Sequence, residues 1–189
     1  MGLEKQARAI LEQAESHEWS LQGMGMFRHY ISKEVRLHVW DARFMAPQVT
    51  TLHTHPWDFE SIVLSGVMTD VMYLKASDHL AATHEECQIV CGSGGGMTSE
   101  PSKPVRLMAP FTHTFTTGRS YRHVATDIHE SIPRSGTVTV IHRTFRPDTE
   151  HAFVYVKRGK PWVSAEPRRA TLDEVRSMAL LALDRWEGA

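Results

Sequence analysis

An all-β sandwich or barrel with a helix at each end is the fold class this sequence predicts, and two observations carry it. Short β-branched and apolar runs, separated by Gly, Pro, Asp or Ser, follow one another from Tyr30 to about Phe145. That is the pattern of an antiparallel β architecture. On either side of them, residues 3–18 and 171–186 repeat apolar side chains at three- and four-residue spacing. Such spacing gives a helix one apolar face.

The elements follow in order. The first helix lines up Leu3, Ala7, Ile10, Leu11 and Ala14 and ends near His17–Trp19. Gly23 and Gly25 are then expected to break regular structure. A strand is predicted at Val35–Trp40, where Leu37 and Val39 lie opposite Arg36, His38 and Trp40. Further strands are predicted at Ser61–Ser65, at Val67–Leu74 beyond Gly66, and at Cys87–Val90. Val105–Met108, Thr112–Thr116, Arg122–Ala125 and Thr137–Phe145 continue the series. The Gly-Ser-Gly-Gly-Gly tract at 92–96 reads as a flexible loop, because neither a lysine nor a helix start follows where a phosphate cradle needs one. Ala152–Val156 and Trp162–Val163 read as a hairpin across Arg158-Gly159-Lys160. Thr171 with Glu174 three residues on is a capping-box signature. Leu172, Val175, Met178, Ala179, Ala182 and Leu183 give the last helix its stripe. No repeat or linker divides the 189 residues, so one domain is expected, with its β portion at roughly 30–163.

Composition narrows the function classes. Hydrophobic residues make 41% and charged residues 23%, an ordinary globular balance. A net charge of -1 argues against a nucleic-acid partner. No apolar run is long enough for a membrane span. The first residues are charged and amphipathic and lack the apolar core of a secretory signal, so a cytoplasmic location is expected. Cys87 and Cys91 are spaced C-x-x-x-C, unlike redox or zinc motifs, and are expected to be reduced thiols. The 12 histidines are more informative, because histidine is the commonest metal ligand.

The sharpest local signal is His53-Thr54-His55-Pro56-Trp57-Asp58-Phe59-Glu60. Side chains at i and i+2 of a strand share a face, so two histidines at that spacing can meet one metal. Pro56 ends the strand, Asp58 suits a turn, and an apolar run leads from Glu60 to Gly66. Later comes Gly118-Arg119-Ser120-Tyr121-Arg122-His123-Val124-Ala125-Thr126-Asp127-Ile128-His129: a glycine turn, a strand, a short polar turn and a histidine.

In this order the two segments resemble the two motifs of the cupin superfamily, and the resemblance covers roughly residues 35–145. It implies a cupin double-stranded β-helix, a jelly-roll barrel with flanking N- and C-terminal helices. It also implies a metal site in which His53 and His55 are the paired ligands, His129 the third and Glu60 a fourth. The family places about six residues between its glutamate and glycine, whereas five separate Glu60 from Gly66 here. Counting from Gly66 puts Phe59 in the ligand slot; counting from His55 puts Glu60 there. Adjacent strand residues face opposite sides, so the two counts are alternatives. Without Glu60, the site is a three-histidine site like that of the thiol dioxygenase branch. His123 is the alternative to His129.

Two or three imidazoles with at most one carboxylate leave coordination positions open and suit iron(II), nickel, manganese or zinc. The resemblance implies iron(II) oxygen chemistry, a dioxygenase or hydroxylase acting on a small polar metabolite. A non-catalytic small-molecule binder and a metal-dependent isomerase or lyase are the alternatives. Tyr73, Arg106, Tyr121 and Arg143 are further candidates for the cavity, since an inward arginine binds a substrate carboxylate with two parallel hydrogen bonds. Trp57 is expected as a pocket wall or a core aromatic. His113 is a candidate to face the cavity, while His38 and His142 read as hydrogen-bonded strand histidines. A homodimer is expected, because cupins commonly pair and the terminal helices or an edge strand offer surfaces for it.

Overall fold

Alternation along Val35–Met45 organises the molecule: Leu37 and Val39 are buried on one face of this strand, and Arg36, His38 and Trp40 on the other. A strand buried on both faces needs a packed layer on each side. The computed structural model supplies both, and describes residues 2–76, 81–90, 102–147, 151–160 and 167–187. Between α1 (Leu3–Glu12) and α2 (Leu172–Glu187) the strands are β1 (Ser20–Gln22), β2 (Met24–Tyr30), β3 (Val35–Met45), β4 (Trp57–Ser65), β5 (Val67–Lys75), β6 (His84–Val90), β7 (Lys103–Val105), β8 (Leu107–Thr116), β9 (Ser120–His123), β10 (Ile128–Pro133), β11 (Val138–Phe145), β12 (His151–Lys157) and β13 (Arg168–Arg169).

The first sheet has the order β13-β1-β2-β3-β11-β4-β9. Two three-stranded units, β10-β5-β8 and β12-β6-β7, form the other face of the sandwich. His53 joins them, because its backbone bridges His129 of β10 on one side and Val154 of β12 on the other. Both helices cover the outer face of the first sheet, where Ile10, Leu11, Val175 and Met178 pack with Phe27, Leu37, Val39 and Val140. Between the sheets, Met26, Trp40, Phe59, Val63 and Tyr121 meet Met68 and Phe115. Leu52, Ile128 and Tyr155 form a further cluster with Tyr73 on the far side of the second layer. The fold is therefore mainly β, with antiparallel sheets and a helix near each end.

Several boundaries differ from the sequence expectation for local reasons. The first helix ends at Glu12, and Ala14–Ser16 continues as a 3-10 turn. There the Trp19 indole donates to the Ala14 carbonyl at 3.0 Å. Gly25 does not end regular structure but sits inside β2 at φ +74, where the pairing with β3 slips between Met24 and Met26. An added Cβ would lie 2.5 Å from the Asp41 carbonyl oxygen, so glycine permits this bulge. Val105–Met108 divides: β7 pairs with β6, whereas β8 starts at Leu107 and pairs with β5. Cys87 lies in β6 as a free thiol. Cys91, the 92–96 tract and Trp162–Val163 lie outside the described residues. Among the described residues, no helix is long and apolar enough to cross a membrane.

The capping box forms. Glu174 N–H donates to Thr171 Oγ1 at 3.3 Å, and Thr171 N–H donates to Glu174 Oε2 at 2.8 Å. Hydrogen bonds from Arg168, and then those from Thr171, outweigh desolvation and hold the Glu174 carboxyl at about 2. Because the folded value is depressed, the contribution of this carboxylate is full above the ordinary carboxyl range and is lost as pH falls toward 2. Thr171→Ala should lower the unfolding free energy by about 1 kcal/mol in a urea titration at neutral pH. An unchanged midpoint would show that the cap adds nothing.

Candidate metal centre

The i, i+2 spacing predicts His53 and His55 on one strand. The structure places them instead on an extended link between β3 and β4 whose backbone is shared among neighbours. His53 N–H donates to the His129 carbonyl at 3.0 Å, and His129 N–H returns a bond to the His53 carbonyl at 3.1 Å. Thr54 N–H reaches the Phe153 carbonyl at 2.8 Å, and His55 N–H the Ala125 carbonyl at 3.2 Å. These bonds fix the link as firmly as a ladder would, and the alternation of side chains survives. The His53 and His55 rings lie 4.5 Å apart, and the His129 ring lies 5.0 and 5.3 Å from them. One ring nitrogen from each of the three falls within 4.8 Å of the other two.

The outer partners of these rings set their tautomers. His53 Nδ1 lies 2.7 Å from the Thr51 carbonyl oxygen, which only accepts, so the proton is on Nδ1. His129 Nδ1 likewise donates to Asp70 Oδ1 at 2.9 Å. Both neutral rings then present a bare Nε2 lone pair, the form that binds metal. His55 Nε2 faces His129 Nε2 at 3.2 Å. Burial, with the neighbouring imidazoles next, pushes His53 down to about 3 and His55 well below its ordinary value. Burial also lowers His129, against the raising effect of Asp70. All three imidazoles are thus held toward the neutral form, and the group could hold a metal ion.

Glu60 is not brought to this cluster. Alternation from His55 puts Trp57 and Phe59 on the inner face and Glu60 on the outer one, where it pairs with Arg122 at 3.1 Å. Phe59 fills the inner position, with its ring 5.0 Å from His55 and 5.6 Å from His129.

Asp70, which the sequence reading passed over, sits buried on β5 and bonds two histidines at once. Its Oδ1 accepts from His129, and its Oδ2 accepts from His123 Nε2 at 3.0 Å. His123 Nδ1 in turn donates to Asp127 Oδ2 at 3.2 Å. Burial works to lower His123, but Asp70 and Asp127 outweigh it and raise its pKa. Burial works to raise Asp70, but the two imidazole bonds hold it at about 2. Asp70, His123 and His129 form a second group with metal-ligating spacing, and this buried set can also hold an ion. The sign of Asp70 in the sequence is a lone carboxylate between Met68 and Met72 on the inner face of a strand.

The remaining candidates divide by side. Trp57 walls the cluster, with its ring stacked on His55 at 5.5 Å. Arg143 is 4% exposed. Tyr121 is buried in the core between the sheets. Tyr73 packs on the far side of the second layer and donates to Glu130 at 3.3 Å. Arg106 is half-buried, and His113 and His142 are exposed. His38 is buried with neither ring nitrogen hydrogen-bonded, in contrast to the bonded strand histidine expected. Compared with models of known protein families the chain matches none, and no curated protein is similar enough to count as a relative.

Proposed function

We propose that this chain is a cupin-type metalloenzyme, a double-stranded β-helix in which His53, His55 and His129 bind iron(II). Its reaction in this reading is the dioxygenation or hydroxylation of a small polar metabolite. The observation that carries the proposal is the convergence of three imidazoles, two of them locked with Nδ1 protonated and Nε2 free. Such a set suits a divalent transition metal, and three protein ligands leave positions for small molecules. Bound iron(II) would supply oxygen activation, whereas nickel, manganese or zinc fit the same donors by affinity. The residues of the chain orient and enclose. Thr51 and Asp70 hold two of the rings. Phe59 and Trp57 line the cluster with apolar surface and limit water there.

Protein purified without chelator or nickel resin should carry about one divalent transition metal per chain. The iron(II)-loaded protein should consume oxygen with at least one member of a metabolite panel. Full metal occupancy without oxygen uptake on any member would remove the oxidoreductase reading and leave a binding protein.

A further inference from the structure

Next to the histidine cluster, the interior holds two cations that touch no carboxylate among the described residues, although the Glu34 carboxylate acts on Arg143 from beyond contact distance. Arg36 is 8% and Arg143 4% exposed, and the Nε of each is buried without a hydrogen-bond partner. Among the described residues neither forms an ion pair, although Arg143 Nη2 donates to the Lys33 carbonyl. Both guanidinium groups lie 4.9 Å from the Trp57 ring, the ring that stacks on His55. Arg36 also lies 4.7 Å from the Tyr30 ring, and Arg143 lies 4.8 Å from Phe145. Burial lowers the Arg36 pKa against the raising effect of Tyr30, whose side chain also hydrogen-bonds it, and the nearby Arg143 and Arg28 charges lower it further.

Two like charges placed together out of water are costly unless something neutralises them. Aromatic faces give back about 0.5–2 kcal/mol per contact, which does not replace a counter-charge. By contrast, the buried Asp41 and Asp70 have opposite partners, Arg43 and His123. His38, one inner-face step along β3 from Arg36, adds two more unpartnered ring nitrogens. The two arginine Nε–H donors and the one N–H of the neutral His38 ring are thus left without acceptors at this end of the interior.

We infer that Arg36 and Arg143 form an oxyanion subsite beside the histidine cluster, so that the small molecule taken there carries a carboxylate or a phosphate group. The paired forks suit the planar edge of a carboxylate or two oxygens of a phosphate, and Trp57 and Tyr30 flank that group. The role of this molecule as a substrate rests on the metal reading above. The anion site itself does not, because no metal ligand belongs to it.

Calorimetric titration of the metal-free protein with sodium malonate and with inorganic phosphate, at matched ionic strength against chloride, tests the subsite. At least one anion should bind saturably and raise the melting temperature. The one that binds more tightly identifies the head group as carboxylate or phosphoryl. Arg36→Met and Arg143→Met should each weaken binding by at least about tenfold, and Arg143→Lys should lie between, because it keeps the charge and loses the fork. His53→Ala should leave anion binding unchanged. Absence of saturable binding of both anions by the wild-type protein up to about 10 mM overturns the inference, without need of any variant. So does unchanged binding in both methionine variants. Anion binding by a protein that retains no metal would sink the metal reading alone, and a metal-loaded protein blind to both anions would sink the subsite alone.

Discussion

His53→Ala is expected to abolish metal binding and to leave the protein folded. The variant removes one of the three imidazoles of this group, and at the next inner-face position of β4 stands Phe59, which has no donor atom. Metal affinity should fall by more than the roughly 10- to 100-fold typical of losing an outer-shell partner. The fold should persist, because the bridges from residue 53 to His129 and Val154 are main-chain bonds that alanine keeps. The helix-covered and inter-sheet cores are also untouched. Metal per chain after dialysis against a competing chelator, read beside the circular dichroism spectrum, checks both halves. His53→Ala and His55→Ala choose between the two ligating groups, since His129 belongs to both. Full occupancy in both variants would move the metal to Asp70, His123 and His129. Glu60→Gln should change nothing, because Glu60 faces outward to Arg122.

Asp70→Asn is expected to have the second largest effect, on stability and metal affinity together. The carboxylate accepts from two rings through its two oxygens, and an amide can accept through only one. The amide nitrogen must then oppose a ring N–H or force that ring into its other tautomer. In His129 the other tautomer carries its proton on Nε2, the atom that has to ligate. Metal affinity should drop by about 10- to 100-fold, and the unfolding free energy of the metal-free protein by about 3 kcal/mol. His123→Gln provides the contrast, since it disturbs the same buried network but leaves the His129–Asp70 bond. It should lower stability and largely spare metal affinity. Equal metal binding by Asp70→Asn and the wild type would mean that Asp70 does not position His129.

The order of β elements between two terminal helices was readable because each run is local: β-branched residues between turn formers, and helical stripes with a capping box. Which face of a strand turned inward was less readable. In β3 the apolar residues Leu37 and Val39 look like the inside and Arg36, His38 and Trp40 like the outside. The apolar face in fact meets the helices, and the polar face lines the space between the sheets. Local alternation cannot tell which of two buried faces holds a site, and so Arg36 carried no signal. For Glu60 the two counts stay open for a related reason: the count from His55 offers Glu60 and the count back from Gly66 offers Phe59, and in the structure it is Phe59 that turns toward the histidines while Glu60 pairs with Arg122. The resemblance favours His129 over His123, but the sequence alone does not show what occupies His123, because the carboxylates that engage both its nitrogens come partly from β5, far away in the chain.

The double bridge of residue 53 ties chemistry to mechanics. The β12-β6-β7 unit meets β10 through the short stretch around His53, whose ring belongs to the cluster and whose backbone is the seam. An ion held by His53 and His129 would act as a clasp across that seam. Opening the seam would then cost the binding free energy as well as the backbone bonds, by RT ln(1 + [M]/Kd) for free ion M. Amide protons of His53 and His129, each bonded to the carbonyl of the other, would exchange with solvent more slowly as ion concentration rises. The traffic of ions and the breathing of the second layer would thereby be set by one local equilibrium.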